Sequence, residues 1–163
     1  MIIKIFTTGG TIDKIYFDAK SEFQVGEPQI AEVLTEANVT FAFEVESVLR
    51  KDSLDMTDDD RQLIRTHVEQ DACERILVTH GTDTMIQTAL ALREIPGKTI
   101  VLTGAMQPAR LRVSDAFFNI GFAIAAAQLM PPGVYIAMNG EIFDPRFARK
   151  NVAKHQFETI TQS

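Results

Sequence analysis

The chain has 163 residues, 45% of them hydrophobic and 23% charged, with a net charge of −6. Those figures suit one globular domain that buries roughly two-thirds of its unfolded surface, and an acidic chain with scattered Lys and Arg argues against a nucleic-acid partner. Cys73 is the single cysteine, which excludes an intrachain disulfide and a thiolate metal cluster and fits a reducing compartment. Met1 leads straight into an apolar run without a leader pattern, and the longest apolar stretch, 116–130, is broken by Asn119 and Gln128. It falls short of a membrane span, so the expectation is a cytoplasmic protein with no membrane partner.

In chain order, β-branched apolar runs predict strands near 2–7, 41–49, 75–80, 98–103 and 133–138. Helical patterns lie between them, near 27–37, 57–71, 84–95 and 114–130. Thr57 and Ser114 are the expected N-caps of the second and fourth helices, and Asp58, Asp59 and Asp60 suit the positive end of a helix dipole. Pro131-Pro132-Gly133 ends the fourth helix. Strands alternating with helices predict a single doubly wound α/β domain, with a mostly parallel sheet, helices on both faces and right-handed crossovers. Residues 9–26 show no clean period and read as a long, mobile loop. The tail after Phe143 reads as an extra strand or an arm onto a neighbouring subunit.

Two turns stand at the ends of strand-like runs: Thr7-Thr8-Gly9-Gly10-Thr11 and His80-Gly81-Thr82-Asp83-Thr84. In an open α/β sheet, loops at the strand carboxyl ends take ligands. Glycines there admit a close backbone approach, and a threonine hydroxyl can bond a ligand or act as an activated nucleophile. Taken singly, each turn also fits an ordinary strand-to-helix connection with a Thr or Asp cap. No G-x-S-x-G elbow, H-E-x-x-H pair or G-x-G-x-x-G spacing is present, so other hydrolase, zinc and dinucleotide chemistries lack support. No metal site and no cofactor are expected. His80 reads as a structural hydrogen-bonding residue, and His67 as a helix-edge packing residue.

The residues from Thr7 to Asp13 (TTGGTID) and from Leu77 to Met85 (LVTHGTDTM) resemble the two signature motifs of the bacterial-type L-asparaginase family. Weaker matches follow in the same order at Asp52-Ser53-Leu54-Asp55-Met56-Thr57, at Thr103-Gly104-Ala105-Met106 and from Asp144 to Lys150. The resemblance implies amide hydrolysis through Thr11 as nucleophile, aided by a loop tyrosine, for which Tyr16 is the nearby candidate. It implies a second cluster of Thr82, Asp83 and Lys150. Lysine takes a proton from a hydroxyl at neutral pH only when burial disfavours its charged form. Ser53 would meet the substrate α-carboxylate and Asp83 its α-amino group, while backbone near Gly10 and Gly81 lines the substrate and offers oxyanion donors.

Three departures stand out. The chain ends where the family's smaller C-terminal domain would begin, so a short form of the N-terminal domain alone is expected. Leu54 replaces a glutamine common beside the substrate serine, and Gln107-Pro108-Ala109-Arg110-Leu111-Arg112 is only loosely family-like. Losing one charge-assisted hydrogen bond weakens capture by roughly ten- to a hundredfold. The expected function is hydrolysis of L-asparagine, a small-molecule amide, to aspartate and ammonia. The alternative is a weakly active or non-catalytic binder of such amino acids. The nearly all-round apolar helix at 116–130 predicts a homo-oligomer, a dimer or a tetramer.

Overall fold

The computed structural model describes residues 1–160; residues 161–163, the end of the tail, lie outside the described part. A six-stranded sheet forms the centre. Its strands are β1 (Ile2–Gly9), β4 (Ala42–Lys51), β5 (Arg75–Thr79), β6 (Thr99–Thr103), β7 (Gly133–Met138) and β8 (Glu141–Phe143), in the order β4-β1-β5-β6-β7-β8. The first five are parallel and β8 closes one edge antiparallel to β7. Ile76, Leu77 and Val78 are all fully buried, because a parallel strand between two helix layers has no solvent face.

The two cores follow strand parity. On one face Ile3, Ile5, Leu77, Val101 and Ala137 pack with α1 (Ile30–Glu36) and α4 (Ala116–Leu129). On the other, Phe6, Ile76, Val78, Ile100 and Leu102 pack with α2 (Asp58–Gln70) and α3 (Met85–Leu92). The fold class is as expected, and the expected strands and helices appear within a few residues of their bounds.

The expectation of uniformly right-handed crossovers fails at one connection. The paths β5–α3–β6 and β6–α4–β7 advance across the sheet in the same direction, yet α3 and α4 lie on opposite faces. They are therefore of opposite hand. The β1–α1–β4 and β4–α2–β5 paths share the hand of the α3 connection. With the strong preference for the right-handed form, α4 makes a left-handed crossover, which places it beside α1.

Thr57 caps α2 as expected: its hydroxyl accepts the Asp60 N–H at 3.2 Å while Asp60 accepts the Thr57 N–H at 2.9 Å. Ser114 does not cap α4. Asp115 occupies that position, and the Ser114 hydroxyl accepts the Ala116 N–H from one residue further out. Asp115 is engaged elsewhere, accepting the N–H groups of Met106 and Gln107 and so shaping the loop after β6.

Residues 9–26 are not an irregular loop. A short 3-10 turn over Thr11–Asp13 leads into an antiparallel hairpin of β2 (Lys14–Phe17) and β3 (Glu22–Val25), joined by Asp18–Lys20 and by Ser21 with φ 51°. Strands of four residues with apolar groups on partly exposed positions leave no clean alternation to read. The tail likewise forms a hairpin of β9 (Ala148–Asn151) and β10 (Gln156–Thr159), anchored by buried Phe157.

Candidate active site

The sheet reverses its build direction at β1, with β4 on one side and β5 on the other. The crevice at the carboxyl ends of β1 and β5 is the place where such sheets bind ligands. Both threonine turns lie there. Gly10 holds φ 86°, and a Cβ on it would sit 2.5 Å from the Gly81 backbone; a Cβ on Gly81 would sit 2.6 Å from Ser53 Cβ. Three segments thus meet at Gly10, Gly81 and Ser53, backbone on backbone at the glycines and the serine side chain against Gly81, and only glycine permits that approach. Thr11 and Thr82 each follow one of the two glycines.

Thr82 is buried, with 5% of its surface exposed. Lys150 Nζ lies 2.8 Å from Thr82 Oγ1 and 2.6 Å from Asp83 Oδ1, and the lysine side chain is 14% exposed. The tail hairpin explains how a residue so distant in sequence arrives there. Lys150 stands directly opposite Phe157 across β9 and β10, and Phe157 is sunk in the core below α3. The Phe157 N–H also donates to Asn139 Oδ1 at 2.8 Å. A sheltered amine within hydrogen-bond reach of both a hydroxyl and a carboxylate has the geometry of a base, the hydroxyl it serves and an orienting group.

Ser53 is buried at 1% exposure. Its position is set by Thr84, which the sequence reading passed over. The Thr84 hydroxyl donates to the Ser53 carbonyl at 2.7 Å, and the Thr84 N–H reaches Ser53 Oγ at 3.3 Å. Ser53 Oγ therefore accepts from the protein and keeps its own proton for a ligand. Thr84 lies inside the second turn motif, so a search for partners of Ser53 within that motif would have found it. Leu54, standing where the family glutamine would be, is 71% exposed and leaves the site to its neighbours.

Asp52, the residue before Ser53, accepts from Leu54 N–H and pairs with Lys14 at 2.9 Å. Burial pushes the Asp52 carboxyl up, but Lys14, the Leu54 N–H and the nearby Lys150 charge together hold it below its usual range. Lys14 belongs to the hairpin, so this ion pair ties the hairpin to the Ser53 turn. A cleft of about 590 Å³, lined in part by Lys14, Phe23, Arg50 and Asp52, lies between them.

Thr11 and Tyr16 are less tightly placed. Thr11 starts the 3-10 turn and is half-buried, and among the described residues its hydroxyl bonds neither Lys150 nor Thr82. Tyr16 is 52% exposed and packs edge-on against Phe23 at 5.5 Å, with no hydrogen bond to Thr11 among the described residues. The Gly10 N–H is spent on the Lys51 carbonyl at 2.9 Å and is no oxyanion donor.

His80 is fully buried. Its Nδ1 lies 2.7 Å from the Gly81 carbonyl and its Nε2 2.7 Å from Thr88 Oγ1, so Nδ1 donates and Nε2 accepts from Thr88. Burial, opposed by the Gly81 carbonyl and aided by the Arg61 charge, lowers its pKa to about 4. It stays neutral and structural. His67 pairs with Glu46 at 2.7 Å and packs edge-on against Phe6. Among the described residues no group of three His, Cys, Asp or Glu is placed to hold a metal ion, and no helix is long and apolar enough to cross a membrane.

Residues 2–162 match the family model for the N-terminal domain of asparaginase. The chain is similar to a glutaminase-asparaginase of Acinetobacter glutaminasificans, at 30% identity over 98% of the chain and 53% of the relative. It is also similar to a component of the glutamyl-tRNA(Gln) amidotransferase of Methanococcus vannielii, at 43% identity over 51% of the chain and 20% of the relative. Among solved structures, the thermostable L-asparaginase from Thermococcus kodakarensis superposes with a TM-score of 0.85 at 27% identity, over all of this chain and 52% of that one. The chain thus spans about half the length of the asparaginases it matches, or less.

Proposed function

We propose, for a chain that belongs to the asparaginase family by its N-terminal domain, that it is an amidohydrolase converting L-asparagine to L-aspartate and ammonia. The observation that carries this reading is the Thr82–Lys150–Asp83 cluster beside the Gly10–Gly81 junction. In the proposed reaction the Thr11 hydroxyl attacks the side-chain carboxamide, with Tyr16 brought up by the hairpin, and ammonia leaves as the acyl-enzyme forms. The proton lost by the Thr11 hydroxyl passes to the departing nitrogen as the C–N bond breaks. Water then attacks the ester carbonyl, one of its protons passes by way of Thr82 to Lys150, and a proton returns to the Thr11 oxygen as the ester C–O bond breaks. Ser53 donates to the substrate α-carboxylate and Asp83 accepts from its α-amino group. The N–H groups of Thr11 and Thr82 face the developing oxyanion, a role worth several kcal/mol in a sheltered site.

The working form is a cytoplasmic homo-oligomer. Along α4, Phe118, Phe122, Ala125 and Leu129 form an apolar stripe at helical spacing; Phe118 is 63% and Leu129 82% exposed, and Phe118 and Phe122 stack on each other. A self-complementary pairing of that stripe gives a symmetric dimer.

The test is ammonia release from L-asparagine and L-glutamine by wild type and by Thr11→Ala. Wild type turns over asparagine and Thr11→Ala drops by a factor on the order of 10² or more. Equal, background-level rates, with aspartate still raising the melting temperature of both proteins, would leave a binding module instead of an enzyme.

A further inference from the structure

We propose that the cleft between α1 and the loop 109–112 is a second binding site, taking an apolar α-amino acid in its zwitterionic form. The cleft holds about 480 Å³ and is lined by Glu32, Val33 and Glu36 of α1, Arg110, Leu111 and Arg112 of the loop, and Gln29, Ala109 and Phe117. Its volume lies in the range of small-molecule sites. The left-handed α4 crossover creates it, by setting the start of α4 beside α1.

Its charges are sorted. Glu32 and Glu36 stand four residues apart on one face of α1, while both cations come from the loop. Opposite charges close on each other at Lys14–Asp52 and Lys51–Asp60. Here, among the described residues, none of the four charged side chains forms an ion pair. An ammonium group suits the glutamate side and a carboxylate the arginine side. Val33, Ala109, Leu111 and Phe117 then supply the wall for an apolar side chain.

One side of the cleft is prepared for this. Gln29 is 4% exposed and holds Arg110 Nε at 2.8 Å through Oε1, while its Nε2 donates to the Glu27 carbonyl at 2.7 Å. Its own N–H is fixed on Asp13 Oδ1 at 2.9 Å. The Ala109 N–H donates to the Ile12 carbonyl at 3.0 Å, which pins the loop. Arg110 is thus held in place before a ligand arrives, so less ordering opposes binding.

Calorimetric titration of the intact chain with L-leucine and L-phenylalanine tests the proposal, with N-acetyl-L-leucine and L-leucinamide as probes lacking one charge each. Neither free amino acid carries a side-chain carboxamide, so failure here is distinct from failure of the amidohydrolase reading. Binding of the zwitterions is expected, weakened at least about fivefold in either capped analogue and in Arg112→Ala and Glu36→Gln. Both substituted positions are exposed, and unchanged melting temperatures confirm that the variants are folded. Absence of binding at millimolar ligand, equal binding of the capped analogues, or full binding by both variants overturns it.

Discussion

Asp13 and His80 are buried titratable side chains beside the two glycine turns, and their protons weigh on stability with opposite sign. Burial lifts the Asp13 carboxyl from 3.8 to about 6, against the pull of the Gln29 N–H and the Arg50 charge. The folded chain therefore binds that proton more tightly than the unfolded one. The stability it contributes is complete below about pH 4 and is lost as pH rises through 6, amounting to about 3 kcal/mol. His80 runs the other way, with stability complete above about pH 6.5 and lost as pH falls toward 4. The two nearly offset each other over that window. Asp13→Asn keeps an acceptor for Gln29 and removes the titration. Urea unfolding should show the variant more stable at neutral pH, by up to about 3 kcal/mol, with no advantage below about pH 4. Its stability should also fall more steeply than wild type between pH 6.5 and 4, because His80 is then unopposed. Parallel pH profiles for the two proteins would contradict the assignment of Asp13.

At the scale of elements, the hairpin of β2 and β3 carries Tyr16 and follows the turn of Thr11, the two candidate residues least tightly placed. It is held at its base by Asp13, whose carbonyl accepts the Gly26 N–H at 2.8 Å, and on its flank by Lys14–Asp52. Its outer end exposes Tyr16, Phe17 and Phe23. A hairpin fixed at one end and apolar at the other can close over a ligand and exclude water. Amide hydrogen exchange in residues 14–25 should slow by about tenfold or more when aspartate saturates the site; equal exchange with and without aspartate would contradict closure. The periodic central elements could be read from sequence because strands such as Ile76-Leu77-Val78 and the helix with Ile64 and Val68 set apolar residues at regular spacing toward the core. The hairpins could not. Four residues per strand is too short for a period to declare itself, and pairing across a turn depends on partners, not on propensity. The meeting of the two Gly-Thr turns was readable because the glycines mark a close approach. The Ser53–Thr84 link and the hand of the α4 crossover arise only from three-dimensional placement.

For the whole molecule, the question is what covers α4. Its buried side, with Ala116, Ile120, Ala123 and Ala127, fills the core against the sheet. Its outer stripe still leaves Phe118 and Leu129 exposed beside half-buried Phe122, an arrangement typical of contact surfaces. Light scattering at micromolar concentration should therefore give twice the 18.2 kDa mass of one chain or a higher multiple, and Phe118→Glu should return it to the mass of one chain. A wild-type mass of one chain in an active preparation would contradict the assembly.

The central claim is that Lys150, Thr82 and Asp83 act as one chemical unit in amide hydrolysis. The measurement that addresses it most directly is kcat/KM for ammonia release from L-asparagine in wild type, Thr82→Val, Lys150→Met and the double variant. Members of one unit are non-additive, so each single variant should lose a factor of about 10²–10⁴ and the double variant little more than either single one. Single variants within about threefold of wild type, or a double variant whose loss is the product of the two single losses, would contradict it.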